Sequence, residues 1–373
     1  VWAEDYYVKI FEPLVKPWEE ETGIKVKFVS KDFFQMTDQF VAAVPTGAGP
    51  DIFISPSATN RFVKNGLVAP VDLGGAESGL AKLAVDVFSQ DGTLYGVPFD
   101  VENVALYRNT TLAPEAPATF EDALATGKKL VDAGKAKIAF GLGLDPKSGN
   151  PYLLYPLQSS FGSDIFEKTA DGQDDGSKLR IDDAAGLKFA EALGRWAKTG
   201  GLSPNVGFDI SLSSFTSGKE PYLLTGPWDL NTIKKSGVKY AIDPIPSAGG
   251  QPAAPLAGFY GVYQSAKAKN PLAASLFLSD FMMRPETQLG IWKEGKNPPA
   301  LTEVADQVKD DPDVSAFLTV GQIARPTPYI PEMDQVWTPW GQAEMQILRG
   351  QGGDPKTVWK KMGAAIRAAI KKG

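Results

Sequence analysis

The chain predicts an α/β fold built on a parallel sheet. Three observations in its first sixty residues carry that expectation: short apolar stretches alternate with helical stripes, Gly or Pro punctuates each change, and one apolar stretch is continuous. Val1–Ala3 reads as a first strand. Residues 6–21 then place Ile10, Leu14 and Trp18 at a four-residue spacing, one stripe of a helix that Thr22-Gly23 ends. Residues 24–28 alternate with period two, the pattern of a half-buried strand. A second helix sets Phe33, Met36, Phe40 and Val44 on one side. The turn at 46–51 stops it, and Ile52-Phe53-Ile54 is apolar throughout, as in a strand covered on both faces. Such β-α-β-α-β order implies right-handed crossovers, with ligands at the carboxyl ends of the strands.

A second block follows an extended stretch over 94–107. Thr119 caps an expected helix with Phe120, Leu124 and Val131 on one face. Asp183 caps another carrying Leu187, Ala190, Leu193 and Trp196, closed by Gly200-Gly201. Strands are expected at 138–142, 222–224 and 240–244. Asn270-Pro271 opens a helix with Leu272, Leu276 and Phe277 inward, and Asp354-Pro355 opens the last one. The Pro/Gly-rich stretch 245–258 reads as a crossing between domains or a surface loop.

Length and composition narrow the chemistry. At roughly 100–200 residues per domain, 373 residues argue for two domains. The net charge of −6 speaks against sequence-independent nucleic-acid binding, which needs excess positive charge. The chain holds neither Cys nor His, so Ser-His-Asp and Cys-His nucleophiles and the usual structural zinc sites are excluded. No metal or cofactor is expected, and no apolar run reaches the ~18 residues of a membrane span. The N-terminus reads as trimmed, by removal of an export signal or by a cloning boundary.

The informative feature is aromatic residues in segments that read as loops or element ends. Tyr6 and Tyr7 follow the first strand, Asn150-Pro151-Tyr152 precedes Tyr155, and Phe259-Tyr260 stands beside Gly258. Gly226-Pro227-Trp228-Asp229 follows a strand, and Trp337 and Trp340 fall in PEMDQVWTPW. Flat rings beside carboxylates and amides suit sugar recognition, because pyranose C–H faces pack on rings while hydroxyls bond to the polar groups. The plainer reading is core filler, which fits Trp2, Trp18, Trp196, Trp292 and Trp359 inside expected elements. Trp228, just past a strand's end, is the strongest ligand candidate on geometry alone. Glu102, charged within an apolar extended stretch, is either an exposed edge residue or a ligand-facing carboxylate.

Five segments, in order, resemble the sugar-binding family of ABC-importer solute-binding proteins that includes the maltose/maltodextrin binders. They are WEEETGIKVKF at 18–28, PTGAGPDIFIS at 45–55, GTLYGVPFDVENVALYRNTTL at 92–112, YLLTGPWDL at 222–230 and YIPEMDQVW at 329–337. The resemblance implies a type II periplasmic-binding fold: two α/β lobes, each a mostly parallel sheet flanked by helices, with a ligand cleft between them. It implies a first lobe of 1–101 plus about 262–306 and a second of about 105–258 plus 310–373. Crossing segments would lie near 101–105, 255–262 and 305–310. Glu102 matches the family's hinge glutamate, Asn150 and Tyr152 its polar–Pro–Tyr segment, and Trp228 and Trp337 its sugar-stacking tryptophans. Gln35 falls near a lysine position and Ser57 near an aspartate position, so much of the family's charged grip is replaced. Glu4, Asp5 or Tyr6 stand where lost contacts could be recovered; Phe259 and Trp340 complete the candidate set.

The function so implied is capture of a small sugar or oligosaccharide and its delivery to membrane permease subunits of an ABC importer. The protein would be a monomer without catalytic activity, periplasmic or extracellular, with a lipid anchor as one option. Two alternatives stand beside it. One is a glycoside hydrolase using Glu102 with Asp100 or Asp229, a mechanism that needs neither His nor Cys. The other is a binder of a non-sugar solute, such as a metal or a polyamine, on the same fold.

Overall fold

In a computed structural model, which describes residues 1–170 and 172–372, the alternation of strand and helix appears from the first residues. The strand Trp2–Glu4 pairs in parallel on both sides, with Val29–Lys31 and with Ile52–Pro56. The helix expected over 6–21 is two helices, Asp5–Leu14 and Lys16–Thr22. Pro17 explains the break: it has no N–H to give Pro13, so the hydrogen-bond ladder cannot run through. Gly23 then takes the left-handed conformation, φ 74°, and its N–H closes on Glu19 O.

The strand expected at 24–28 is displaced to Val29–Lys31. Ile24, Val26 and Phe28 do turn toward the core while Lys25 and Lys27 stay exposed. Alternation therefore reported which side faces inward, but apart from the Val1 ammonium donating to Lys27 O at 2.8 Å, pairing starts where Val29 N–H meets Val1 O at 2.9 Å. Phe33 is likewise exposed, whereas Met36, Phe40 and Val44 are buried as expected.

The chain divides into two units, Val1–Glu102 with Gly258–Ser315, and Asn103–Ala257 with the described chain from Ala316. In the first unit, the parallel ladder is extended by Gly258–Gln264, the later part of the strand Leu256–Gln264, antiparallel to Ile52–Pro56. Gly96–Glu102 adds to its other edge, also antiparallel. A bulge lies between Tyr260 and Gly261, opposite the step from Asp100 to Pro98; Pro98 has no N–H for the ladder. Phe40 stacks on Phe53 at 4.2 Å beside Phe62, while Phe11, Trp18, Phe99 and Phe281 belong to a core cluster that includes Ile52 and Ile54, the residues on either side of Phe53.

The helix expected after Asn270-Pro271 forms as Pro271–Leu276, but Leu272 is 86% and Leu276 39% exposed. The expected inward stripe holds at Phe277 but not at the two leucines: Ala274, Phe277, Leu278 and Phe281, at the ordinary i, i+3, i+4, i+7 spacing, take the core side, and the last three lie in a π-turn over Phe277–Phe281.

The second unit's sheet runs in the order Tyr240–Asp243, Ala105–Asn109, Tyr222–Thr225, Gly141–Leu142; only the last pairing is parallel. The strand expected over 138–142 is reduced to its final two residues. The helix starts are as expected. Thr119 and Asp122 form a reciprocal capping box, Asp183 accepts from the N–H groups of Ala185 and Gly186, and Asp354 from that of Thr357. Helices Ala184–Lys198, Trp337–Leu348 and Pro355–Ile370 pack together over Phe189, Trp196 and Trp359. The buried indole of Trp359 gives its N–H to Ile181 O at 2.9 Å.

Candidate functional site

Each unit gathers candidate residues at or just past the carboxyl ends of strands, where ligands of parallel sheets sit. In the first unit Glu4 is the last residue of its strand, while Asp100 and Glu102 stand two apart on one face of Gly96–Glu102. Tyr7, Tyr260 and Asn297 join them. Tyr7 Oη donates to Asp100 Oδ2 at 2.6 Å and Tyr260 Oη to Glu4 Oε1 at 2.5 Å, and the Tyr260 amide reaches Asp100 Oδ1 at 3.2 Å. The Asn297 amide donates to Asp100 at 2.8 Å and lies 3.4 Å from Glu102 Oε2. Asn297 follows Lys296, a non-glycine residue held at φ 67°, a conformation that costs on the order of 1 kcal/mol.

Three carboxyls, Asp100 buried and Glu4 and Glu102 half-buried, thus share one neighbourhood with neutral partners. Burial pushes Glu4 up to about 7, with Tyr260 pulling down and Asp100 and Asp32 adding to the rise. Asp100 is raised by burial against its hydrogen bonds from Tyr7, Asn297 and Tyr260. Glu102 is raised by burial, then by Asp100 and Glu4.

In the second unit Trp228 follows the strand Tyr222–Thr225, and the Asn150–Tyr152 segment lies beyond Gly141–Leu142. Trp228 is half-buried, and its ring folds against Gly226 so closely that a Cβ there would sit 2.2 Å from it. Tyr152 lies 6.5 Å from Trp228 between ring centres, its hydroxyl donating to Leu256 O. Trp337, half-buried, stacks on Trp340 at 5.7 Å and 15°. Beneath them Asp229 is pushed up to about 7 by burial, with Thr225 pulling down and Asp209 adding, and burial also raises the Glu344 carboxyl.

The other candidates fall as follows. Asn150 is spent on structure: Oδ1 caps the helix Pro151–Ser159 at Leu153 N–H, and the amide donates to Gly143 O. Trp340 is fully buried and Phe259 3% exposed, so both belong to the core; Trp340 backs Trp337 rather than meeting solvent. Asp5 is exposed and paired with Lys9, and Tyr6 bonds to Gly295 O at 2.7 Å. Gln35 is exposed on helix Phe33–Ala43 and bonded to Gln39, while Ser57 lies near Thr59 and Val87 O. Sequence reasoning missed Tyr7, Tyr260 and Asn297 as site residues. The first two sit in dipeptides it singled out, and Asn297 lies in a Lys-Asn-Pro-Pro turn that only the fold brings to Asp100.

These carboxyls set a pH dependence with a definite sign. A group raised in the folded state stabilises fully below its unfolded value and loses that contribution as pH rises through its folded value. For Glu4 the limits are 4.5 and about 7, for Asp229 3.8 and about 7. With no histidine in the chain, ordinary side chains leave the window from pH 5 to 8 quiet. The urea midpoint is therefore expected to fall from pH 5.5 to pH 8, and by less in Glu4→Gln. Equal midpoints at both pH values would contradict the burial of these carboxyls.

A family model described as "Bacterial extracellular solute-binding protein" matches residues 13–316. A galactooligosaccharide-binding protein of Bacillus subtilis (strain 168) is 26% identical over 385 residues, covering 100% of this chain and 89% of its own. The maltodextrin-binding protein MdxE of the same organism is 26% identical, covering 95% and 85%. Among solved structures, the Thermus thermophilus maltotriose binding protein bound with maltotriose aligns with a TM-score of 0.88, at 27% identity and 99% coverage of both chains.

Proposed function

Since the chain belongs to the bacterial extracellular solute-binding proteins, we propose that it binds a neutral oligosaccharide and presents it to the permease of an ABC importer. The observation that carries this reading is the pair of half-buried rings Tyr152 and Trp228, 6.5 Å apart where the chain leaves the strand Tyr222–Thr225, with a third half-buried ring, Trp337, packed on the same core through Trp340. Rings held by Gly226 and Trp340 keep a face for a pyranose at little conformational cost. In the first unit the ligand chemistry is different: carboxyl oxygens that accept hydrogen bonds from sugar hydroxyls. The relatives are named for galactooligosaccharide, maltodextrin and maltotriose, three hydroxyl-rich neutral ligands.

Hydrolysis is the weaker reading. Asp100, one of its nominated carboxylates, is 1% exposed and accepts from Tyr7, Asn297 and the Tyr260 amide. Asp229 is buried and bonded to Thr225 at 2.6 Å. A general acid must reach the bond it protonates.

Tryptophan fluorescence tests the proposal, titrated with maltotriose, a maltodextrin, a galactooligosaccharide, a uronate oligosaccharide and spermidine. A saturable change with a neutral oligosaccharide is expected, with that sugar intact by mass spectrometry after overnight incubation. Flat traces for all the sugars from folded protein would overturn the reading. A response to spermidine alone would move the assignment to a cationic solute.

A further inference from the structure

The first unit's carboxyl cluster has a property that sugar binding alone does not require. Glu4 comes from the strand Trp2–Glu4, Asp100 and Glu102 from Gly96–Glu102, and one network of Tyr7, Tyr260 and Asn297 joins them. Of the six side chains, three are acids and none is a cation. Two lysines on the neighbouring elements are directed elsewhere. Lys31, opposite Glu4 in the ladder, holds its ammonium 3.6 Å over the Trp2 ring, and Lys296 holds its own 4.4 Å over Trp292. Asp32, next along from Lys31, adds another negative charge at Glu4, and Tyr6 is bonded to Gly295 O. Three ionised carboxylates in a shared desolvated site repel each other strongly, and the least costly relief is a retained proton.

We propose that Glu4, Asp100 and Glu102 form a proton-linked site: they hold a shared proton in the free protein, and Glu4 and Glu102, the two half-buried members, release it when ligand hydroxyls bind to them. Asn297 is the positioning residue, its amide placed to bridge Asp100 and Glu102. The exchange balances simply: a sugar O–H donates to a carboxylate oxygen, and the carboxyl proton it replaces passes to the buffer. This rests on the oligosaccharide reading above and names a linkage that reading does not contain. Burial raises all three carboxyls, and Glu4, pushed up to about 7, puts the release near neutrality.

Two measurements test it separately. Carbon-13 NMR of the side-chain carboxyls in the free, full chain, titrated from pH 4 to 9, should show resonances with midpoints above 6. Glu4→Gln should remove one and shift the others downward. If every carboxyl of the folded protein titrates below 5, the retained proton is refuted. Calorimetry with maltotriose, and in parallel with a galactooligosaccharide, in buffers of different ionisation heat then counts protons. A net release at pH 6.5 is expected, with affinity tightening as pH rises from 5 to 8, by at most about tenfold per unit for one proton. Asn297→Asp should move this profile to higher pH by adding a fourth acid, a change that a merely structural role would not produce. Binding with no buffer dependence and a flat profile would overturn the linkage. Resonances above 6 that Glu4→Gln removes or shifts, with no heat from either sugar, would overturn the oligosaccharide reading, and the release with it, leaving the retained proton standing.

Discussion

Trp228→Ala is expected to weaken oligosaccharide binding by about 2–4 kcal/mol, roughly 30- to 1,000-fold in Kd. The substitution removes the stacking face and also the ring that fills the space beside Gly226 and Tyr152. The ring is only half-buried, so its loss opens little of the core, whereas Asp229 and Leu230 behind it are buried and remain. The thermal midpoint should therefore move little while affinity falls. Isothermal titration with whichever sugar the fluorescence panel selects gives the first number, and a melting curve the second. Affinity within twofold of the parent would remove Trp228 from the site. A large drop in melting temperature would make the indole a packing residue instead.

Trp228 also shows what was legible in the sequence. Gly-Pro-Trp after an apolar strand placed an aromatic at a strand's end, and the fold has it there, because the signal was local: a strand, a breaker and a ring. The same local signals gave the caps at Thr119, Asp183 and Asp354. What failed was phase. Tyr6-Tyr7 and Phe259-Tyr260 read in the sequence as aromatic pairs at loops or element ends, yet it is Tyr7 and Tyr260 that reach the carboxyls. Phe259 faces the core, and Tyr6 reaches Gly295. Which member of a pair faces which way depends on where pairing starts, and on bulges such as the one at Tyr260/Gly261. Asn297 was illegible for a different reason, since 197 residues of sequence separate it from Asp100. Trp340 was misjudged because a helix over Trp337–Leu348 turns one indole of the pair inward and leaves the other at the surface.

That helix is also where a single methyl group should do the most damage to the fold. Gly341 follows Trp340 and packs directly on the segment that precedes Asn150: a Cβ at Gly341 would sit 1.7 Å from Ser148 O. The contact is reciprocal, since a Cβ on Gly149 would lie 2.6 Å from Gly341 O. Both obstacles are backbone atoms, so no side-chain rotation relieves them, and Gly341→Ala must push the helix off the 148–150 turn. The turn has little freedom to yield. Asp145 holds it through the N–H groups of Lys147 and Ser148, Asn150 pins it to Gly143 O, and Gly149 is itself left-handed at φ 64°. Overpacking of this kind costs about 3 kcal/mol or more, a sizeable share of the roughly 5–15 kcal/mol that holds a typical domain folded. The displacement would also separate the two parts of the aromatic group, with Trp337 and Trp340 on the helix and Tyr152 just beyond the turn. Gly341→Ala is therefore expected to lower the urea midpoint of the second unit and to weaken sugar binding together, while Gly353→Ala should leave binding intact. Gly353 is the control because it is exposed, left-handed and free of neighbours within 4 Å, so it carries backbone strain without a clash. If Gly341→Ala folds with the parent's midpoint and affinity, the close approach is not a constraint, and the positions of Trp337 and Tyr152 are set independently.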